Sequence, residues 1–158
     1  MSIQVLDCTL RDGGYVNDWR FGRKTIRSIL EKLENANIDI IECGFLTKMV
    51  KEQECSLFGS VRDIEGMLPP QPRRAMYVAM VAIGGRELHP EELTPCDQSS
   101  ITGIRLTFHK NEIEKAFAWA RMIMEKGYEV FMQPVGTVFY SDRELLELVE
   151  QMNRLNPF

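Results

Sequence analysis

Hydrophobic and polar positions along this chain switch repeatedly between a period of two and a period of 3.6. Ile3 to Leu10 reads as a first strand, opened by the apolar β-type run Ile3 to Leu6. Arg23 to Asn37 places Ile26, Ile29, Leu30 and Leu33 at i, i+3, i+4 and i+7, one face of a helix. Ile40, Ile41, Cys43 and Phe45 mark a second strand over Asp39 to Leu46, and Leu57, Val61, Ile64 and Leu68 mark a helix over Ser56 to Leu68, closed by Pro69-Pro70-Gln71-Pro72. Ala75 to Ile83 is a continuous apolar run, as in a strand covered on both faces, and Gly84-Gly85 turns it. A short helix is expected over His89 to Gln98, a strand over Ile101 to Phe108, a helix over Glu112 to Lys126 with Gly127 at its end, and a strand over Val130 to Gly136. Ser141 and Glu144 form a capping box for a last helix, with Leu145, Leu148, Val149 and Met152 as its apolar stripe and Asn156-Pro157 as its stop.

The order is thus β then α, repeated about five times, which implies parallel strands joined by right-handed crossovers. Two architectures satisfy it: an open doubly wound sheet, or part of a closed (β/α)8 barrel. A complete barrel takes eight units and about 250 residues. The 158 residues here suit one domain. A partial barrel exposes strand edges that invite association, so a homo-oligomer, or a missing C-terminal half of the same protein, is expected to complete it.

Charge narrows the partners. The formal net charge is −4, with no basic stripe, which argues against nucleic acid. No apolar run is long enough to cross a bilayer, and the N-terminus does not read as a signal peptide. The four cysteines include no Cys-x-x-Cys pair, the usage of reduced thiols in the cytoplasm.

Chemistry concentrates where polar residues interrupt apolar strands. The first strand delivers Asp7, Thr9, Arg11 and Asp12 to its end before Gly13-Gly14; the second contains Glu42; the fourth carries Arg105, Thr107 and His109; the fifth carries Gln133 and Thr137. A buried carboxylate needs a cation, and Arg11 on the neighbouring strand is the natural partner of Glu42. Asn17, Asp18, Trp19 and Arg20 form a polar loop over the expected mouth, and His89, before Pro90, reads as a surface residue. An arginine beside a metal-binding carboxylate suits reactions through an enolate, with the metal as Lewis acid and the guanidinium on the developing oxyanion.

Asp7-Cys8-Thr9-Leu10-Arg11-Asp12-Gly13 and Ile41-Glu42-Cys43-Gly44-Phe45 resemble the strand-one and strand-two signatures of the DRE-TIM metallolyases, the family of the 4-hydroxy-2-oxoacid aldolases, hydroxymethylglutaryl-CoA lyase and the isopropylmalate and homocitrate synthases. The resemblance implies that residues 1–158 are the N-terminal portion of an aldolase-type TIM barrel. It implies a divalent-metal-dependent lyase acting on a 4-hydroxy-2-oxo acid, with Asp12 as metal ligand, Arg11 as enolate stabiliser and Glu42 orienting Arg11. Mn2+ or Mg2+ would be the cofactor, with Zn2+ also admitted. The family's His-x-His metal pair is not matched by His89 and His109. Where the aldolases carry a histidine two residues after the Asp-Gly glycine, and the synthases Glu-Gln, this chain has Gly14-Tyr15, so Tyr15 is the candidate proton carrier. Thr107, His109 and Gln133 are candidate substrate-binding residues. The alternatives are an acyl-CoA-dependent condensing acyltransferase and a non-catalytic, self-associating barrel fragment.

Overall fold

A computed structural model describes residues 3–48, 54–85 and 88–158. The first strand, β1 (Leu6–Asp7), is much shorter than the Ile3 to Leu10 expected. Asp7 is the reason: one carboxylate oxygen accepts from the Thr9 backbone N–H and the other from the Thr9 hydroxyl, both at 3.0 Å. A local side-chain acceptor of this kind competes with the strand ladder and turns the chain. The Arg-Asp-Gly motif therefore lies not on a strand end but in a helical turn, α1 (Thr9–Asp12), followed by a second, α2 (Gly14–Asn17).

The first long helix, α3 (Arg23–Asn35), buries Ile26 and Leu30 as its periodicity requires. Asn37, in the left-handed region, turns the chain into β2 (Ile40–Leu46). The helix expected from Ser56 divides. Leu57–Phe58 is a short strand, β3, parallel to β2, and only Val61–Glu65 coils, as α4. Backbone N–H groups of Phe45 and Thr47 donate to the carbonyls of Ser56 and Phe58; this pairing along the upper edge of β2 overrides the local helical pattern.

Next comes β4 (Met76–Ala82). The short helix expected over His89 to Gln98 is instead two 3-10 turns, Pro90–Glu92 and Cys96–Gln98. Pro95 lies between them and supplies no backbone donor. The remaining elements fall within a few residues of expectation: β5 (Gly103–Phe108), α5 (Ile113–Glu125), β6 (Glu129–Pro134) and α6 (Asp142–Leu155), the last with its Ser141–Glu144 capping box formed.

The sheet order is β1-β2-β4-β5-β6, with β3 paired to β2, and every pairing is parallel. Each strand on the main path lies beside its neighbour in sequence. A doubly wound sheet reverses direction at a switch point; this one does not, and its form is a parallel α/β half-barrel. The helix-facing side of the sheet carries Ile41, Cys43, Tyr77, Ala79, Ile104 and Leu106, which join Ile26, Leu30, Phe117 and Ile123 in one core. The opposite side is built in register layers: Glu42 beside Val78 and Gly103, then Met80 beside Arg105 and Phe131, then Ala82 beside Thr107 and Gln133. Each layer carries polar groups: Glu42 in the first, Arg105 in the second, Thr107 and Gln133 in the third. The four cysteines are free thiols, and among the described residues no helix is long and apolar enough to cross a membrane.

Candidate functional site

At the C-terminal ends of the strands lies a cavity of about 480 Å3. The α1 turn supplies Arg11 and Asp12, α2 supplies Tyr15, and Thr107, His109 and Gln133 come from β5, the residue after it, and β6. The remaining wall is apolar, with Phe45 of β2 and Met80 and Ala82 of β4. Six candidate residues from distant parts of the chain thus share one concavity, and Glu42 lies directly behind them.

Glu42 has no exposed surface. Its Oε1 accepts from Arg11 Nε at 2.8 Å, as its burial demanded, although Arg11 reaches it from a helical turn rather than from a strand. Its Oε2 accepts from Arg105 Nη1, also at 2.8 Å. Burial holds the Glu42 carboxyl above its ordinary range, and Arg105 and Arg11 offset only part of that rise; on geometry, two permanently charged donors, one on each oxygen, are the surroundings of a carboxylate. For Arg11, burial acts to lower its affinity for the proton, but the bond to Glu42 and the charges of Glu42 and Asp12 hold it above its ordinary range.

The polar chain extends at both ends. Arg11 Nη1 donates to Asp12 Oδ1 at 2.6 Å. Arg105 Nη2 donates to Gln133 Oε1 at 2.8 Å. Asp12, Arg11, Glu42, Arg105 and Gln133 therefore form one continuous series of contacts across the mouth of the half-barrel. In the sequence, Arg105 stands on a strand with no partner marked by spacing. The signal was available: a cation in an apolar strand needs an anion, and Glu42 is the buried charged side chain among the described residues.

Asp12 is more than half exposed, at 59%, and faces the cavity. Beyond its Arg11 contact, its second oxygen lies 3.9 Å from Cys8 Sγ. It is a hard oxygen donor open to solvent, which fits Mg2+ or Mn2+, ions held by one or two carboxylates with waters and substrate completing the shell. Among the described residues no group of three or more His, Cys, Asp or Glu side chains gathers around it. Burial raises the Cys8 thiol pKa, ahead of the charges around it, so it is a thiol rather than a thiolate.

Tyr15 is 66% exposed, at the rim of the cavity, with its ring edge-on to Trp19 at 4.9 Å. His109 also borders a second hollow of about 580 Å3 lined by Lys110, Asn111 and Phe139. His89 is remote from both; its Nδ1 accepts from the Glu91 backbone N–H and its ring meets Trp119 at 5.0 Å. It caps a turn.

Among solved structures, the chain is similar to the N-terminal domain of a "putative aldolase" from Bacteroides vulgatus. The two are 22% identical with a TM-score of 0.65, over 94% of this chain and 51% of that one. The likeness shows an aldolase-like fold, and this chain spans about half the length of the matched chain. No protein-family model matches the chain, and no curated protein matches it.

Proposed function

We propose that this chain is the N-terminal portion of a (β/α)8 barrel, and that the assembled protein is a cytoplasmic, divalent-metal-dependent lyase of the DRE-TIM type. It cleaves the carbon–carbon bond of a 4-hydroxy-2-oxo acid. The observation that carries this reading is the adjacent pair Arg11 and Asp12 in one cavity, with the Arg11 fork gripped from behind by the buried Glu42. A structural ion pair needs no cavity and no neighbouring open carboxylate; an enolate-forming site needs both.

In this mechanism Asp12 holds the metal, preferably Mn2+ or Mg2+. When bound, the metal polarises the 2-oxo group as a Lewis acid. Arg11 donates to the oxygen of that group and grows stronger as a partner as negative charge develops there. Glu42 fixes the plane of the guanidinium, and a planar fork held in place loses little entropy on meeting the oxyanion. Tyr15 relays the proton of the 4-hydroxyl, accepting it as its own phenolic proton passes to solvent, while the C3–C4 bond breaks; the bonding pair moves into the enolate, the aldehyde leaves, and C3 then takes a proton from water. Gln133, Thr107 and His109 bind the substrate carboxylate. The Arg105 donor on Gln133 Oε1 leaves the amide nitrogen as the end that can donate into the cavity.

A completed barrel would cover the free edge of β6 and the exposed Leu146 and Val149 of α6. The rest of the same protein, or a second copy, is proposed to do so.

The test uses the complete protein in D2O with pyruvate and Mn2+. Metal-dependent incorporation of deuterium into the pyruvate methyl group is expected, and heat of binding on Mn2+ titration. A folded protein that neither binds the ion nor exchanges the methyl protons overturns the assignment.

A further inference from the structure

The α1 turn that carries Arg11 is four residues long. Its carbonyls at Leu10 and Arg11 face i+4 residues, Gly14 and Tyr15, that lie beyond its end. Carbonyls in a final helical turn need partners from outside. Both receive one from a distant side chain. Ser56 Oγ donates to Leu10 O at 2.6 Å, and Trp19 Nε1 donates to Arg11 O at 2.8 Å. These are the carbonyls of the two peptide planes that flank the Arg11 Cα, so each plane is pinned.

The two pins are tied to each other and to β2. Ser56 N–H donates to Trp19 O at 3.0 Å, and Ser56 O accepts from Phe45 N–H at 3.0 Å. Ser56 is completely buried. At Gly44, two residues beyond Glu42, φ is +143°, and a Cβ would stand 2.0 Å from Ser56 O; the glycine is what lets Ser56 approach. On the other side, Asp18 and Trp19 sit at φ 54° and 60°. Two successive non-glycine residues in the left-handed region are strained and persist only when the surroundings over-determine them. The indole lies on Gly14, where a Cβ would fall 2.0 Å from Trp19 Cδ1.

We propose that Trp19 and Ser56 are positioning residues for Arg11. They hold its main chain so that Nε meets Glu42 and the rest of the fork faces the cavity. Neither touches the reacting atoms. The catalytic consequence rests on the lyase reading above; the positioning itself does not.

The experiment therefore has two arms. In the first, the 158-residue chain is labelled with 15N-arginine, and water exchange of the Arg11 Nε–H is measured by NMR. Arg73 Nε–H, bonded to Pro69 O, is the internal reference. Trp19→Phe keeps a ring and deletes the donor; Ser56→Ala deletes the hydroxyl. Each is expected to speed Arg11 exchange by roughly five- to tenfold, the worth of one net hydrogen bond, with Arg73 unchanged. Trp119 remains as a fluorescence check of folding. Unchanged Arg11 exchange in both variants overturns the proposal; equal acceleration at Arg11 and Arg73 also overturns it, since that is general loosening. In the second arm, the same substitutions in the complete protein are expected to lower kcat with KM unchanged. A wild-type protein with no turnover sinks the lyase reading while the exchange result still decides the positioning.

Discussion

Glu42 Oε2 and Arg105 Nη1 are 2.8 Å apart, the same distance at which the other Glu42 oxygen meets Arg11 Nε. One buried carboxylate thus serves two guanidinium groups on opposite sides of the half-barrel. Removing its charge leaves two cations in a poorly hydrated space. Glu42→Gln is expected to cost about 3–5 kcal/mol, the scale of breaking a buried ion pair from one side. The urea midpoint of the chain measures this. A variant as stable as the parent would show that the two arginines find water instead.

Arg11→Lys keeps a positive charge near Glu42 but loses the planar fork. The complete protein is expected to retain its fold and lose about 10²- to 10³-fold in kcat, the typical cost of removing one oxyanion donor. Steady-state kinetics on a 4-hydroxy-2-oxo acid, with circular dichroism as the folding control, tests it.

Gly44→Ala pushes a Cβ into the carbonyl of Ser56 and asks alanine to hold φ near +143°. The neighbour is backbone and cannot swing aside. A loss of about 3 kcal/mol is expected, at the upper end of overpacking penalties. The midpoint of chemical unfolding reports it, and the same variant is expected to quench the Trp19-dependent protection of Arg11.

Glu144 responds to acid. Lys110 Nζ at 2.7 Å, then the Ser141 backbone N–H and hydroxyl, each at 2.8 Å, hold its carboxyl down at about 2, against an ordinary 4.5. A carboxylate whose folded pKa lies below its unfolded one contributes stability above the unfolded value and loses it as pH falls. The α6 cap is therefore expected to be intact above pH 4.5 and to weaken progressively toward pH 2. Glu144→Gln is expected to flatten that part of the stability profile; a profile identical to the parent's would remove the role.

Much of this fold was legible because its signals are local. The stripes of α3 and α5, the continuous apolar run of β4 and the Ser141–Glu144 box each lie within one segment. The Arg11–Glu42 pair was also legible, since a buried carboxylate calls for a cation and the strand order supplied one. What was hidden depends on contacts between segments. Asp7 ends the first strand through Thr9, inside the Ile3 to Leu10 segment that reads as one strand. The β3 strand of Leu57 and Phe58 exists only because the edge of β2 offers it partners. Arg105 could be matched to Glu42 only once the strands were laid side by side. The pins on Leu10 and Arg11 come from Trp19 and Ser56, and no spacing rule links those positions.

The in-order sheet also sets a schedule for synthesis. Domains form from their N-termini as the chain emerges, and here each strand docks on one already made. Glu42 emerges with only Arg11 to neutralise it; its second cation arrives some sixty residues later, when β5 (Gly103–Phe108) leaves the ribosome. The half-barrel can grow strand by strand, but its charged centre closes late, when Arg105 is delivered.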